Sequence, residues 1–478
     1  MENGRSAVHL DGRQVLPVIG VLLLILVSRL VFWSDDLGGD PDAYRFGFNA
    51  FRMWEDHRYY YSRSPGYPLY DIVNTPLMVL GGGRLTNLAT MAVSLVGLAA
   101  LYRIFVHYRV RRPLLLLVLF AFVPVVWIAS FSTMDYWWSL ALILLAWERA
   151  LAGKPYQSAV LAGLAVGMRL PAGVMILPLL GVIWNQRRDW AVTLKAGLVF
   201  LATALIAFSP MVLTYGLQHF NYVPYSHHVA QALYRAVRYT VGAPALILLG
   251  LALAGSWRQR GSQPAARKPD GREPSRLPVY AAAVLGLAMF LRLPAEPAYL
   301  MPVLPFALIL LDRWVTPGWW WHLTALVALN NFVSVPAVDT AAWKEETQLA
   351  FVPARAGALV QHLREQRRFQ RDLDRWLTVP LPLAPGQRPL ILVGSHLDRI
   401  RFACRKQIRS VRRVGESPYD TYLLQVGDRW FSRAVSSWDL ERLKADNYSI
   451  FYIQHAGYIT GYTFNYNLAE YGAAALQE

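Results

Sequence analysis

The chain has 478 residues, of which 55% are hydrophobic and only 16% charged, with a formal net charge of +16 and a pI near 9.9. A soluble domain carries about 25% charged residues; here the charges gather between long apolar runs, which excludes an ordinary soluble globule and points to the bilayer. Part of the basic excess lies in short loops between those runs, as the positive-inside rule and anionic headgroups require, so nucleic acid is not an expected partner.

In chain order, the first expected span is the apolar run 16–33, which has no small-residue cleavage site after it and reads as a retained helix. Further spans are expected at 86–106, 114–131, 136–152, 156–169, 171–184, 190–215, 239–256, 277–292, 299–311 and 318–335, about eleven crossings in all. The fifth, sixth and tenth are short and carry proline, which predicts tilted, broken or merged helices. Arg103, Arg109, Arg111, Arg112, Lys154, Arg187, Arg188 and the basic Pro/Gly/Ser-rich linker 255–277 fall on one side if the spans alternate. That side is expected to be the cytoplasm, with the N-terminus on it. Segments 34–85, 131–136, 216–238 and 292–298, and everything after about 336, then face outward.

Beyond 336 the pattern changes. Residues 353–376 are Arg-rich with helical periodicity, and 389–395, 421–426 and 449–454 read as short buried strands. The expected architecture is an all-α polytopic membrane domain over 1–335 followed by a small extracytoplasmic α/β domain over 336–478. The lone Cys404 excludes an intramolecular disulfide framework and any cysteine-based metal cluster.

The first outward loop, SDDLGGDPDAYRFGFNAFRMWEDHRYYYSRSPGYPLYD from Ser34 to Asp71, is dense in carboxylates, arginines and tyrosines. After Asp40 the spacing of Tyr44, Phe48, Phe51 and Trp54 predicts an amphipathic helix along the interface, with Asp40 and Asp42 at its N-terminus. Two readings of these aspartates stand side by side: helix capping and catalysis. Asp135 opens the fourth span, as a cap beside an aromatic belt or as a substrate ligand. Arg169 and Arg292 lie at outward helix ends, where they either snorkel to headgroups or clamp a phosphate; Arg45 and Arg63 of the first loop are equal candidates for the phosphate. Arg29, inside the first span, is expected to snorkel or to pair with a carboxylate. His219, His227 and His228 form an outward cluster that reads mainly as interfacial loop, because adjacent histidines do not converge on one metal without other ligands.

Sugar transfer from a lipid phosphate suits such a set. An acceptor hydroxyl needs a carboxylate to take its proton, whereas the leaving phosphate needs no general acid, only cationic groups to hold its charge.

The loop GDPDAYRFGFNAF…SRSPGYPLYD resembles the first extracytoplasmic loop of the GT-C superfamily of membrane glycosyltransferases, in particular the family 39 and aminoarabinose-transferase-like enzymes that use polyprenyl- or dolichyl-phosphate sugars. Residues 134–180, whose paired short helices lead to Arg169-Leu170-Pro171, agree with it, as do RLPAEPAYLMPVLPFALILL at 292–311 and the hydrophilic domain after the last span. The resemblance implies inverting transfer at the outer membrane face with no nucleotide-sugar site. By position it makes Asp42 the general base with Asp40 the near alternative, and it makes Glu296 and Tyr299 contacts to sugar or phosphate. The family's usual Asp-Glu pair is Asp-Pro-Asp here, which leaves open both the choice of base and whether the two share a divalent metal ion. The implied partners are a lipid-phosphate-linked sugar donor, an acceptor that is lipid, glycan or protein, and membrane lipids; the implied location is the cell membrane. Two other classes fit the composition: a transporter or flippase for lipid-linked sugars, and a non-catalytic assembly subunit. The crowding of ionisable residues at one face, without an internal repeat, favours the enzyme.

Overall fold

The computed structural model describes residues 12–34, 36–217, 229–260, 274–292, 294, 296–335, 337–338, 351–394, 396–413, 422–433, 437–453 and 473–476. His219, His227, His228, Asp35 and most of the basic linker lie outside them. The chain divides into two compact units: residues 1–38, 50–335 and 354–361 form the first, and residues 39–49, 336–353 and 362–478 the second.

The first unit is helical: α1 (Gly12–Leu30), the second half of α2 (Pro41–Asp56), α3 (Pro68–His107), α4 (Pro113–Ala121), α5 (Pro124–Ala129), α6 (Tyr136–Leu151), α7 (Pro155–Met168), α8 (Ile176–Arg187), α9 (Trp190–Tyr215), α10 (Val229–Tyr239), α11 (Ala243–Arg260), α12 (Leu277–Arg292), α13 (Val303–Leu311) and α14 (Trp319–Leu329). Helices α3, α4, α5 and α7 each begin with proline, whose fixed φ suits the first turn and whose missing N–H is an unused donor there. Asp189 caps α9 through the amides of Ala191 (2.8 Å) and Val192 (3.2 Å). Within α3, Gly82 adopts φ 57°, ψ −149°, a conformation open to glycine alone, and breaks the 40-residue element in two.

The expected spans fall on helical residues, but 114–131 is broken into α4 and α5, and the sixth and tenth begin as the 3-10 turns 170–175 and 297–300. Length is another matter: among the described residues, α3 and α9 are the helices long and apolar enough to cross a membrane alone, with a third if α10 and α11, bent by 82°, count as one span. Two further described helices, 15–30 and 277–292, are apolar but shorter, so the count of about eleven crossings is not carried by helix length. Helix α6 packs between α3 and α7, and α7 lies against α9. Gly163 and Gly167 face Thr203 and Ala207 so closely that an added Cβ would sit 2.6 Å from each neighbour, the close backbone approach that small residues permit in apolar bundles. A two-residue ladder, β1 (Val333–Ser334) with β4 (Arg355–Ala356), closes the unit.

The second unit is α/β. Besides the ladder β2 (Ala337–Val338) with β3 (Phe351–Val352), it holds a six-stranded sheet in the order β10-β9-β5-β8-β7-β6. Its strands are β5 (Arg388–Leu392), β6 (Ile408–Arg413), β7 (Tyr422–Val426), β8 (Arg429–Ser432), β9 (Tyr448–Ile453) and β10 (Ala474–Leu476). The four from β10 to β8 run parallel, and β7 and β6 are antiparallel. Successive residues of β5 point to opposite faces, and both faces are covered. Ile391 packs with Phe369, Leu373 and Trp376 of α15 (Ala358–Thr378) and Leu397 of α16 (His396–Ala403), while Leu390 and Leu392 pack with Leu440 and Leu443 of α17 (Ser437–Ala445). A parallel strand buried on both sides reads as a continuous apolar run, which is why PLILV is legible as a strand. The strands and Arg-rich helix expected after 336 are present.

The second unit also takes in residues 39–49, the N-terminal half of α2. Tyr44 meets Phe369 and Phe402, Arg401 stacks on Phe48 at 3.9 Å, and the Arg399 guanidinium donates to the Gly39 carbonyl at 2.8 Å. The aromatic stripe expected on this helix therefore packs, at Tyr44 and Phe48, on protein.

Candidate functional site

In the first unit, Asp135 precedes α6 in the position of its cap, yet its side chain caps nothing. The carboxylate is 1% exposed and is gripped by two arginines. Arg169 Nη1 donates to Oδ2 at 2.8 Å and to Oδ1 at 3.0 Å, and Arg63 Nη2 donates to Oδ1. Arg169 is delivered by the extended residue (φ −159°, ψ 111°) that ends α7 before Leu170-Pro171. Arg63 is delivered by a loop that Asp71 ties down: Asp71 Oδ2 accepts from the Tyr59 hydroxyl (3.0 Å) and the Ser62 amide (3.3 Å).

Tyrosines ring this triad. The Arg169 guanidinium stands 4.0 Å from the Tyr136 ring centre and 4.5 Å from that of Tyr299, and Arg63 stands 4.4 Å from Tyr67. A cavity opens beside Arg169, lined mainly by apolar side chains, among them Ile143, Met175, Met289 and Met301, with Tyr136 and Tyr299 at the arginine. Arg169 is the one charged residue in its lining.

Of the residues singled out in the sequence, the structure brings together Arg63, Asp135, Arg169 and Tyr299. Arg292 is exposed at the end of α12, and Glu296 is half-buried before the 297–300 turn; neither grips Asp135, whose carboxylate bonds to Arg63 and Arg169. Arg29 behaves differently from expectation. Its guanidinium is buried and meets no carboxylate among the described residues; it donates to Ser130 Oγ at 3.2 Å and to the Ala121 carbonyl, and it lies 5.2 Å from the Phe122 and Trp127 rings. It thus satisfies a carbonyl left open where α4 breaks before α5. Asp71, Tyr67 and Tyr136 were missed; the only signal for Asp71 was a carboxylate inside the first turn of an apolar helix.

Asp40, Asp42 and Arg45 belong to the second unit. Asp40 Oδ1 accepts the Asp42 amide at 2.9 Å, so Asp40 performs the capping that its position allows. Asp42 meets Arg45 Nη1 at 3.2 Å. Arg45 Nη2 reaches Oδ2 of Asp398 at 2.9 Å, and Arg433 donates to the same oxygen. Asp398 is fully buried in the first turn of α16. Burial opposes the charge of Arg45, but Asp398 and Asp42 more than reverse this and hold the guanidinium above its ordinary range. His362 of α15 is buried beside Gly39; burial first, and the Arg399 charge second, lower its pKa to about 4. Among the described residues, no three His, Cys, Asp or Glu side chains converge as metal ligands do.

Fold and composition define a multi-pass helical membrane protein with a small α/β unit. No family model matches the chain, and no curated protein does. Among solved structures, it is similar to ArnT from Cupriavidus metallidurans bound to undecaprenyl phosphate, at 16% identity and a TM-score of 0.44 over 83% of this chain and 85% of that one. It is likewise similar to the same protein in the apo state, at 14% identity and a TM-score of 0.45 over 82% and 84%.

Proposed function

We propose that this protein is an inverting glycosyltransferase of the GT-C type, moving a sugar from a polyprenyl-phosphate carrier to an acceptor hydroxyl at the extracytoplasmic membrane face. The observation that carries the reading is the Arg63–Asp135–Arg169 triad, whose Arg169 lines a mainly apolar cavity. Two guanidinium groups share one carboxylate there, which leaves positive charge for a phosphate in a site poor in water. The apolar lining suits part of an isoprenoid tail, and Tyr136 and Tyr299 offer faces to the first sugar or isoprene unit.

In this reading Arg63 and Arg169 hold the departing lipid phosphate, Asp135 fixes the two arginines, and Tyr299 orders Arg169. Asp42 is the base that takes the acceptor proton as the glycosidic bond forms, with Asp40 setting the helix end that presents it. Arg45 keeps the Asp42 carboxylate charged, and Arg292 and Glu296 are left for the acceptor side. The membrane domain crosses about eleven times with its N-terminus in the cytoplasm.

The test is a deletion strain complemented with variants. Without the protein, mass spectrometry of membrane lipids should show unspent polyprenyl-phosphate sugar accumulating, and wild type should clear it. Asp42→Asn should insert normally and fail to clear it. Clearance at the wild-type rate by both Asp42→Asn and Asp40→Asn would remove the catalytic role of this loop.

A further inference from the structure

The parallel strands β5 and β8 end side by side. The Gly394 amide donates to the Arg433 carbonyl at 3.0 Å, and α16 starts two residues after Gly394. The crevice outside the carboxyl ends of parallel strands is where α/β sheets usually receive a ligand. Near these strand ends Arg45 of α2 reaches Asp398, which Arg433 after β8 also holds. Arg45 therefore lies between two carboxylates, Asp398 at 2.9 Å and Asp42 at 3.2 Å, while Arg433 also holds Asp398. A carboxylate paired fully with one guanidinium is a weak base; one that shares the guanidinium keeps more of its basicity.

We propose that Asp398 is a positioning residue that draws Arg45 away from Asp42 and so sets the reactivity of that carboxylate. The inference rests on the reading of Asp42 as the base. The competing account is a tether, in which the Arg45–Asp398 pair only fastens α2 to the sheet. The charged and titratable groups facing this half of α2 are its own Asp40 and Arg45, Asp398, Arg399 and Arg401 of α16, Arg433 after β8, Tyr422 of β7, and His362 of α15. Removing the charge of Asp398 leaves Arg45 beside Arg433 with Asp42 as its remaining carboxylate, which strengthens the Asp42 pair and lowers the pH at which Asp42 takes a proton.

The experiment titrates full-length protein labelled with 13C at the aspartate carboxyls, Asp42 being the resonance absent from Asp42→Asn. In Asp398→Asn its midpoint should fall by about one pH unit, and transfer at neutral pH should drop about threefold through the weaker base. Arg45→Gln should raise the midpoint, and adding Asp398→Asn to it should produce no further shift. A midpoint unmoved in Asp398→Asn, or a second shift in the double variant, leaves only the tether and overturns the proposal. Should Asp398→Asn not fold, Arg45→Gln decides alone: no rise in the midpoint overturns it. Full transfer by Asp42→Asn removes the base reading and this one together, whereas an inactive Asp42→Asn with unmoved midpoints removes this one only.

Discussion

Each of the two units is built around a buried aspartate held by two arginines, Asp135 by Arg63 and Arg169, and Asp398 by Arg45 and Arg433. The surroundings differ. Counting these side chains alone, the first group carries one surplus positive charge and borders a mainly apolar cavity with tyrosine faces. In the second group Asp42 supplies a further carboxylate, so the charges balance, and the groups lie between a helix and the carboxyl ends of strands. A buried ion cluster is weak evidence for stability in itself, because desolvation offsets most of the attraction. Under the proposed function the two clusters do different work: the cationic one receives an anion, and the balanced one sets the basicity of Asp42.

The sharpest way to break the comparison is to delete each central carboxylate. Asp135→Leu removes the carboxylate shared by Arg63 and Arg169 and should lose on the order of 3–5 kcal/mol, whereas Asp398→Leu leaves Arg45 its pair with Asp42 and should lose less, both measured by denaturant unfolding of the detergent-solubilised protein. Adding undecaprenyl phosphate should recover part of the loss in Asp135→Leu, where its phosphate can replace the missing anion, and none of it in Asp398→Leu. Equal rescue of both, or of neither, would erase the distinction between a ligand site and an internal device.

The second unit should also fail first in acid. His362 has a pKa near 4 in the folded state against an ordinary value of 6.5, so the unfolded chain binds the extra proton between those values. Stability tied to this group is therefore complete above about pH 6.5 and is lost as pH falls toward 4, by ~3 kcal/mol in total. Hydrogen exchange of β5 and α15 should accelerate over that window, and His362→Leu should flatten the dependence. Exchange that speeds equally in α6 and α7 would assign the acid response to the whole chain instead.

Much of the architecture is legible along the chain and little of the site is. Proline at helix starts, an apolar run per span and the PLILV strand are local signals, each decided within about a dozen residues. The count of crossings was less secure, since Gly82 splits one helix and the prolines of 170–175 and 297–300 turn others into short pieces. Arg63 and Asp135 are 72 positions apart, and Arg45 and Asp398 are 353 apart. Nothing in SHLDRIRF marks Asp398 as more than a residue in the first turn of a helix, where aspartate is favoured anyway. Asp40 and Asp42 show the same limit from the other side: capping and chemistry ask for the same residue at the same place, and the structure gives Asp40 the cap while tying Asp42 into a charge network that periodicity could not reveal.

The smallest expected effect is the most discriminating for the cationic cluster. Arg169→Lys keeps the positive charge beside Asp135 but loses the planar fork that reaches both carboxylate oxygens and stacks on Tyr136 and Tyr299. If the site serves only as an electrostatic sink, lysine suffices and undecaprenyl phosphate binds as in the wild type. If a guanidinium must bridge Asp135 and phosphate at once while held between two rings, lysine loses one charge-assisted hydrogen bond and part of the ring contact. The dissociation constant for undecaprenyl phosphate, measured by thermophoresis in detergent, should then rise about tenfold, equivalent to about 1.4 kcal/mol. Arg45→Lys in the balanced cluster should leave that constant unchanged, because no phosphate is expected there; a comparable rise from that variant would mean that the two clusters answer to the same ligand.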